Sequence, residues 1–166
     1  MITDNAYQNI PERKIFQVGF AVENLEEAME KWTKYYHIGP WRISVLSAQT
    51  IPDLVISHDA VSENVSYRMA TTMVGNVQFE LMEANETTPI YSDFLKKHGV
   101  GIHHIKERIP EDQMQRVLDD YAAHGMDILY GGHYYNASFY YMDTPDQLTG
   151  ALIELGNCET LKKGNE

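Results

Sequence analysis

The chain has 166 residues, 43% of them hydrophobic and 22% charged, which suits one soluble domain or two small fused units with a real core. Its net charge of −11, spread along the sequence without a compensating basic block, argues against nucleic acid as a partner. No segment approaches the roughly 18 uninterrupted apolar residues of a membrane span, and the single cysteine, Cys158, excludes an internal disulfide framework and a thiolate cluster.

Residues 1–13 lack the basic start and apolar run of a signal peptide and are expected to be an N-terminal extension of a cytoplasmic protein. The alternating run from Ile15 to Val22 predicts a strand. Asn24, with Glu27 three residues on, predicts a capping box. Leu25, Ala28, Met29, Trp32 and Tyr36 then keep helical spacing until Gly39-Pro40. Strands are predicted over 41–47, 65–72 and 77–83, with a solvated loop around His58 and Asp59. A linker helix over 89–98 ends at Gly99. The pattern then restarts with a strand over 102–109 and a helix opened by Pro110, with Met114, Val117, Leu118 and Tyr121 as its stripe and Gly125 as its cap. Strands over 126–130, 137–142 and 151–156 complete the chain.

The two halves repeat one design. Placing Gln17 over His104 brings both opening strands and both helices into register. The closing strands both carry an apolar-Glu-Leu run, with Glu80 over Glu154. The reading is α+β: two tandem βαβββ modules (14–86 and 101–157), a linker helix (87–100) and a C-terminal tail (158–166). A polar residue on an apolar strand is costly to bury unless bonded or coordinated. Gln17, Glu80, His104 and Glu154 occupy equivalent places in equivalent modules, and packing about a pseudo-twofold axis would bring them to one point. One imidazole and up to three oxygens suit one divalent ion such as Zn²⁺, Ni²⁺, Co²⁺, Mn²⁺ or Fe²⁺, formally neutralised by the two carboxylates. Alternation sends His103 to the opposite face from His104. The eleven tyrosines, two tryptophans and five phenylalanines fit a core, a dimer interface or an aromatic-lined pocket.

These paired modules, with FQVGFAVENLEEAMEKW at 16–32, FLKKHGVGIHHI at 94–105 and Ile153-Glu154-Leu155, resemble the vicinal oxygen chelate (glyoxalase/bleomycin resistance/dioxygenase) superfamily. The likeness is to its methylmalonyl-CoA epimerase-like branch and covers about residues 14–157. It implies a mixed, cupped sheet with flanking helices and the metal ligands Gln17, Glu80, His104 and Glu154. The epimerases usually have His where this chain has Gln17, whereas some glyoxalase I enzymes use the set Gln, Glu, His and Glu. The ring-cleaving dioxygenases hold iron with two His and one Glu, and the first of those His is missing here. The resemblance implies a metal-dependent isomerase, epimerase or lyase that moves a proton next to a metal-bound carbonyl of a small, partly apolar or aromatic substrate. Glu154 is the expected base, and Glu80 returns the proton on the opposite face. Arg68, His133 and Tyr140 are expected to contact that substrate. Glu63 is displaced from the place of the epimerases' catalytic Glu. A homodimer is expected. A glyoxalase I-type lactoylglutathione lyase and a non-catalytic, drug-sequestering protein of the bleomycin-resistance type stay open as alternatives.

Overall fold

The computed structural model describes residues 14–51, 53–56, 64–144 and 150–157. The expected extension, the tail with Cys158, and the segment with His58, Asp59 and Glu63 lie outside the described residues. Strands β1 (Lys14–Val22) and β6 (Gly101–Arg108) pair antiparallel at the seam of the molecule. On one side of it β1 pairs in parallel with β5 (Val77–Glu83), followed outward by β4 (Ser66–Val74) and β2 (Arg42–Ser47). On the other side β6 pairs in parallel with β9 (Leu152–Gly156), followed by β8 (Ala137–Met142) and β7 (Ile128–Tyr134). The same four-strand arrangement therefore occurs twice, as the sequence repeat predicts. Each parallel pair needs a long crossover, and each crossover contains a helix: α1 (Leu25–Tyr36) and α3 (Glu111–Ala123).

A two-residue strand, β3 (Val55–Ile56), is the departure from the predicted set. It comes from the first half but pairs with β7 of the second, making a nine-stranded sheet ordered β2-β4-β5-β1-β6-β9-β8-β7-β3. The partner of so short a strand is set by long-range packing, so local sequence carries no signal for it.

Local signals explain the helices. Asn24 Oδ1 accepts from the Glu27 backbone N–H at 2.8 Å. The Glu27 carboxylate turns away to Lys31 (2.6 Å), so only half of the capping box forms. α1 stops at His37, which takes a left-handed conformation at φ 57° and donates its N–H back to Thr33. α2 (Pro89–His98) has the predicted span, with proline in its first turn and Gly99 at φ 75° after it. No helix among the described residues is long and apolar enough to cross a membrane.

Alternation along the strands separates two faces of the curled sheet. Leu25 of α1 packs with Ala70 and Leu81 on one, while α3 buries Met114 and Val117 there against Met142 and Leu155. The opposite face draws one aromatic cluster from both halves: Leu46, Tyr67 and Met82 with Tyr130, Phe139 and Tyr141. Tyr91 of α2 sits fully buried among them. The linker helix thus plugs part of the half-barrel and ties its two sides together.

Candidate metal centre

Strands β5, β1, β6 and β9 lie side by side, and each contributes to the inner face one of the polar residues that the repeat singles out. Gln17, Glu80, His104 and Glu154 are all buried. His104 Nε2 lies 2.9 Å from Glu154 Oε2, 3.4 Å from Glu80 Oε2 and 3.2 Å from Gln17 Oε1. The structure therefore brings together the four residues singled out by the repeat. The His104 ring lies over the backbone of β1 at Gly19, its cross-strand partner. A Cβ at Gly19 would fall inside that ring, which explains a glycine in the middle of an apolar strand.

The donor set fits a divalent cation on two observations. Ligand atoms of Glu80, His104 and Glu154 all lie within 4.8 Å of one another. Glu154 Oε2 is also buried without a hydrogen bond: His104 Nε2 is close, but its direction favours Gln17 Oε1. A buried carboxylate oxygen in this state is costly unless a cation completes it. Without an ion, a proton takes that role. Burial alone pushes the His104 imidazolium down, but the carboxylates of Glu154 and Glu80 outweigh it and hold the pKa up to about 9. Burial likewise pushes Glu154 up, and the charges of Lys106 and His104 overcome this to hold it well below the ordinary carboxylate range.

Neighbouring side chains fix how these donors present themselves. Gln17 Nε2 donates to Gln78 Oε1 at 2.6 Å, which turns the Gln17 oxygen toward His104. The amide thus presents its oxygen, not its nitrogen, to the cluster. His103 departs from the simple alternation. β6 pairs His104 with Gly19 but Ile102 with Phe20, so His103 is the extra residue of a bulge. Both histidines are consequently buried with their rings in contact, correcting the expectation that His103 faces away. His103 Nε2 donates to the Ile90 carbonyl at 3.1 Å, and its Nδ1 lies 3.1 Å from His104 Nδ1. Burial, with the nearby His104 charge, pushes the His103 pKa down to about 3 and keeps that ring neutral. His103 Nδ1 therefore accepts the His104 Nδ1 proton, and His104 Nε2 is the atom left facing the carboxylates.

A cavity of about 320 Å³ opens above this cluster, a size for a small molecule. Gln17, Gln78, Glu80, Lys106 and Glu154 are among its polar lining, and Leu46, Tyr67, Met69, Phe139 and Tyr141 are among its apolar walls. Lys106 Nζ pairs with Glu154 Oε1 at 2.7 Å. Neither Lys106 nor Gln78 was anticipated. The period-2 spacing of Lys106 from His104 was a usable signal, while the pairing of Gln78 with Gln17 needs the parallel β1–β5 register.

Arg68, His133 and Tyr140 do not line the cavity. Arg68 lies between Tyr67 and Met69, which do, and so points to the other face, where it bonds Glu83 (2.9 Å) and Glu26 (2.6 Å). Tyr140 packs against the α3 core, and His133 pairs with Asp53 on the same outer side. Alternation on β4, β7 and β8 places all three away from this cavity.

The molecule is a half-barrel of paired βαβββ units with a nitrogen–oxygen donor cluster at the seam. Residues 16–141 match the Glyoxalase/Bleomycin resistance protein/Dioxygenase superfamily, and the chain belongs to that superfamily. A search of curated proteins found no match. Among solved structures, the fold is similar to methylmalonyl-CoA epimerase from Mycobacterium tuberculosis, at 20% identity over 86% of this chain and 85% of that one, with a TM-score of 0.61. A Streptomyces coelicolor methylmalonyl-CoA epimerase variant in complex with 2-nitronate-propionyl-CoA gives 19% identity, 86% and 92% coverage and a TM-score of 0.60. A hypothetical protein from Bacillus halodurans C-125 gives 17% identity, 88% and 94% coverage and a TM-score of 0.59. Identities this low show a common fold alone.

Proposed function

We propose that this chain is a metal-dependent isomerase, epimerase or lyase that moves a proton on a carbon beside a carbonyl. The observation that supports it most is the orphaned, buried Glu154 Oε2 at the floor of a cavity, within 4.8 Å of donor atoms from His104 and Glu80. Gln17 Oε1, Glu80, His104 Nε2 and Glu154 would hold one divalent ion. When bound, such an ion supplies Lewis acidity that polarises a substrate carbonyl and acidifies the neighbouring C–H.

The rest falls to the chain's own side chains. Glu80 and Glu154 line the cavity from β5 and β9, on either side of the β1–β6 seam. A carboxylate on each flank can take a proton from one face of a carbon and return it on the other, which suits epimerisation. Lys106 keeps Glu154 ionised at neutral pH, so that carboxylate is ready to accept a proton. The apolar wall of Leu46, Met69 and Phe139 would exclude water from the carbon that loses the proton. The likeness to methylmalonyl-CoA epimerases supports this reaction class.

The test is exchange of carbon-bound protons for deuterium, followed by NMR. The metal-loaded protein is incubated in D₂O with a panel of small carbonyl compounds and coenzyme A thioesters. Exchange into at least one compound is expected, falling by roughly 100-fold or more in both Glu154→Gln and Glu80→Gln, at the lower end of general-base effects. Exchange as fast in the two variants as in the wild type would overturn the proposal.

A further inference from the structure

The hydrogen-bond polarity of the cavity floor points to a residue that reads the substrate, and this step rests on the metal-site reading above. Gln78 lies two residues before Glu80 on β5, so the strand period brings both to one face, and both line the cavity. The parallel register sets Gln78 beside Gln17 on β1, and the antiparallel one sets it beside Met73 on β4. One lateral neighbour is thus an amide, and the other is a thioether, a weak acceptor.

A side-chain amide accepts at its oxygen and donates at its nitrogen, so fixing one end fixes the other. Gln17 Oε1 faces His104 Nε2 at 3.2 Å. A divalent ion at that place, like a proton on His104 Nε2, requires the oxygen there and turns the Gln17 nitrogen the other way. Gln17 Nε2 accordingly donates to Gln78 Oε1 at 2.6 Å. That bond engages the Gln78 oxygen and leaves its two N–H groups to be satisfied. Among the described residues nothing accepts from Gln78 Nε2. The two amides therefore form a relay: the centre orients Gln17, Gln17 orients Gln78, and Gln78 has donors to offer to a molecule in the cavity.

We infer that Gln78 is a specificity-determining residue, whose Nε2 donates to an oxygen of the bound substrate. The site then takes a carbonyl compound that presents a keto, carboxylate or enolate oxygen to β5. A compound that presents an amino or ammonium group there meets N–H against N–H and is disfavoured.

Two zinc-binding probes test the assignment by binding rather than by turnover. Acetohydroxamate carries acceptor oxygens, whereas imidazole bound through one nitrogen presents only an N–H. In calorimetric titrations of the zinc-loaded full chain, Gln78→Leu should weaken acetohydroxamate by about tenfold, the scale of a hydrogen bond to a charged group. It should leave imidazole within about twofold. Gln78→Glu should weaken acetohydroxamate at least as much while retaining zinc, because its carboxylate still accepts from Gln17 Nε2. In the wild type, acetohydroxamate should move the Gln78 side-chain amide protons downfield in the NMR spectrum. Undiminished acetohydroxamate binding in both zinc-loaded variants, an equal loss for the two probes in Gln78→Leu, or unmoved Gln78 amide signals overturns the inference while the metal site stands. So does a zinc-loaded wild type that fails to bind acetohydroxamate. A wild-type chain that takes up no zinc defeats the metal site itself, and this inference with it.

Discussion

His103 and His104, adjacent on β6, meet through their Nδ1 atoms at 3.1 Å because a bulge rotates both rings toward the interior. The far nitrogen of His103 is anchored to the Ile90 carbonyl on α2, so the linker helix sets the tautomer of the candidate ligand. His103→Phe removes that anchor while keeping an aromatic ring of similar size. It should weaken divalent-ion binding by about 10–100-fold, the range for lost supporting contacts around a ligating histidine. Competition against a chromophoric chelator reads this directly, and wild-type affinity in the variant would remove His103 from the account.

Gly19 gives a sharper test, because the His104 ring occupies the space its side chain would fill. Gly19→Ala should displace the ring, abolish stoichiometric metal binding and cost about 1–3 kcal/mol of stability by overpacking. Gly101→Ala is the control, since a Cβ there meets nothing within 4 Å. Thermal melts and metal content of both variants check the contrast.

The acid–base arrangement sets a pH signature. His104 is raised from 6.5 to about 9 in the metal-free fold, so its contribution to stability is fully present below about pH 6.5 and is lost as pH rises through about 9. Glu154 is lowered, so its contribution is present above the ordinary carboxylate range and is lost as pH falls through its depressed value. An ion taking the place of the His104 Nε2 proton should therefore release about one proton per chain at pH 7 and almost none at pH 10. Titration in weakly buffered solution measures this, and equal release at both pH values would contradict the geometry.

Arg68 and His133 serve as negative controls. Both act on the outer face, through Glu26 and Glu83 and through Asp53. Arg68→Ala and His133→Ala should leave metal content and deuterium exchange within about twofold of wild type, with a small loss of Tm. A loss of exchange in either variant with metal retained would show that the outer face takes part.

Much of this was legible in the sequence, for identifiable reasons. The repeat could be read because Gln17 and His104, and Glu80 and Glu154, interrupt apolar strands at matching places, and because Asn24, Pro89 and Gly99 mark helix ends with local chemistry. His103 could not be placed, because a bulge breaks the period-2 rule on which its facing was judged. Arg68, His133 and Tyr140 have the chemistry of substrate contacts, but their strand neighbours Tyr67, Met69, Tyr134 and Tyr141 line the cavity instead. β3 and the Gln17–Gln78 bond depend on contacts between distant segments, which no local pattern encodes.

The central claim is one ion held by residues from both halves of the chain, and metal content measures it most directly. Purified wild-type protein, loaded with a divalent ion and freed of excess, should carry about one ion per chain. His104→Ala and Glu80→Ala should each carry almost none while keeping a wild-type far-UV circular dichroism spectrum. A wild type without metal, or both variants with metal content unchanged, would contradict the account.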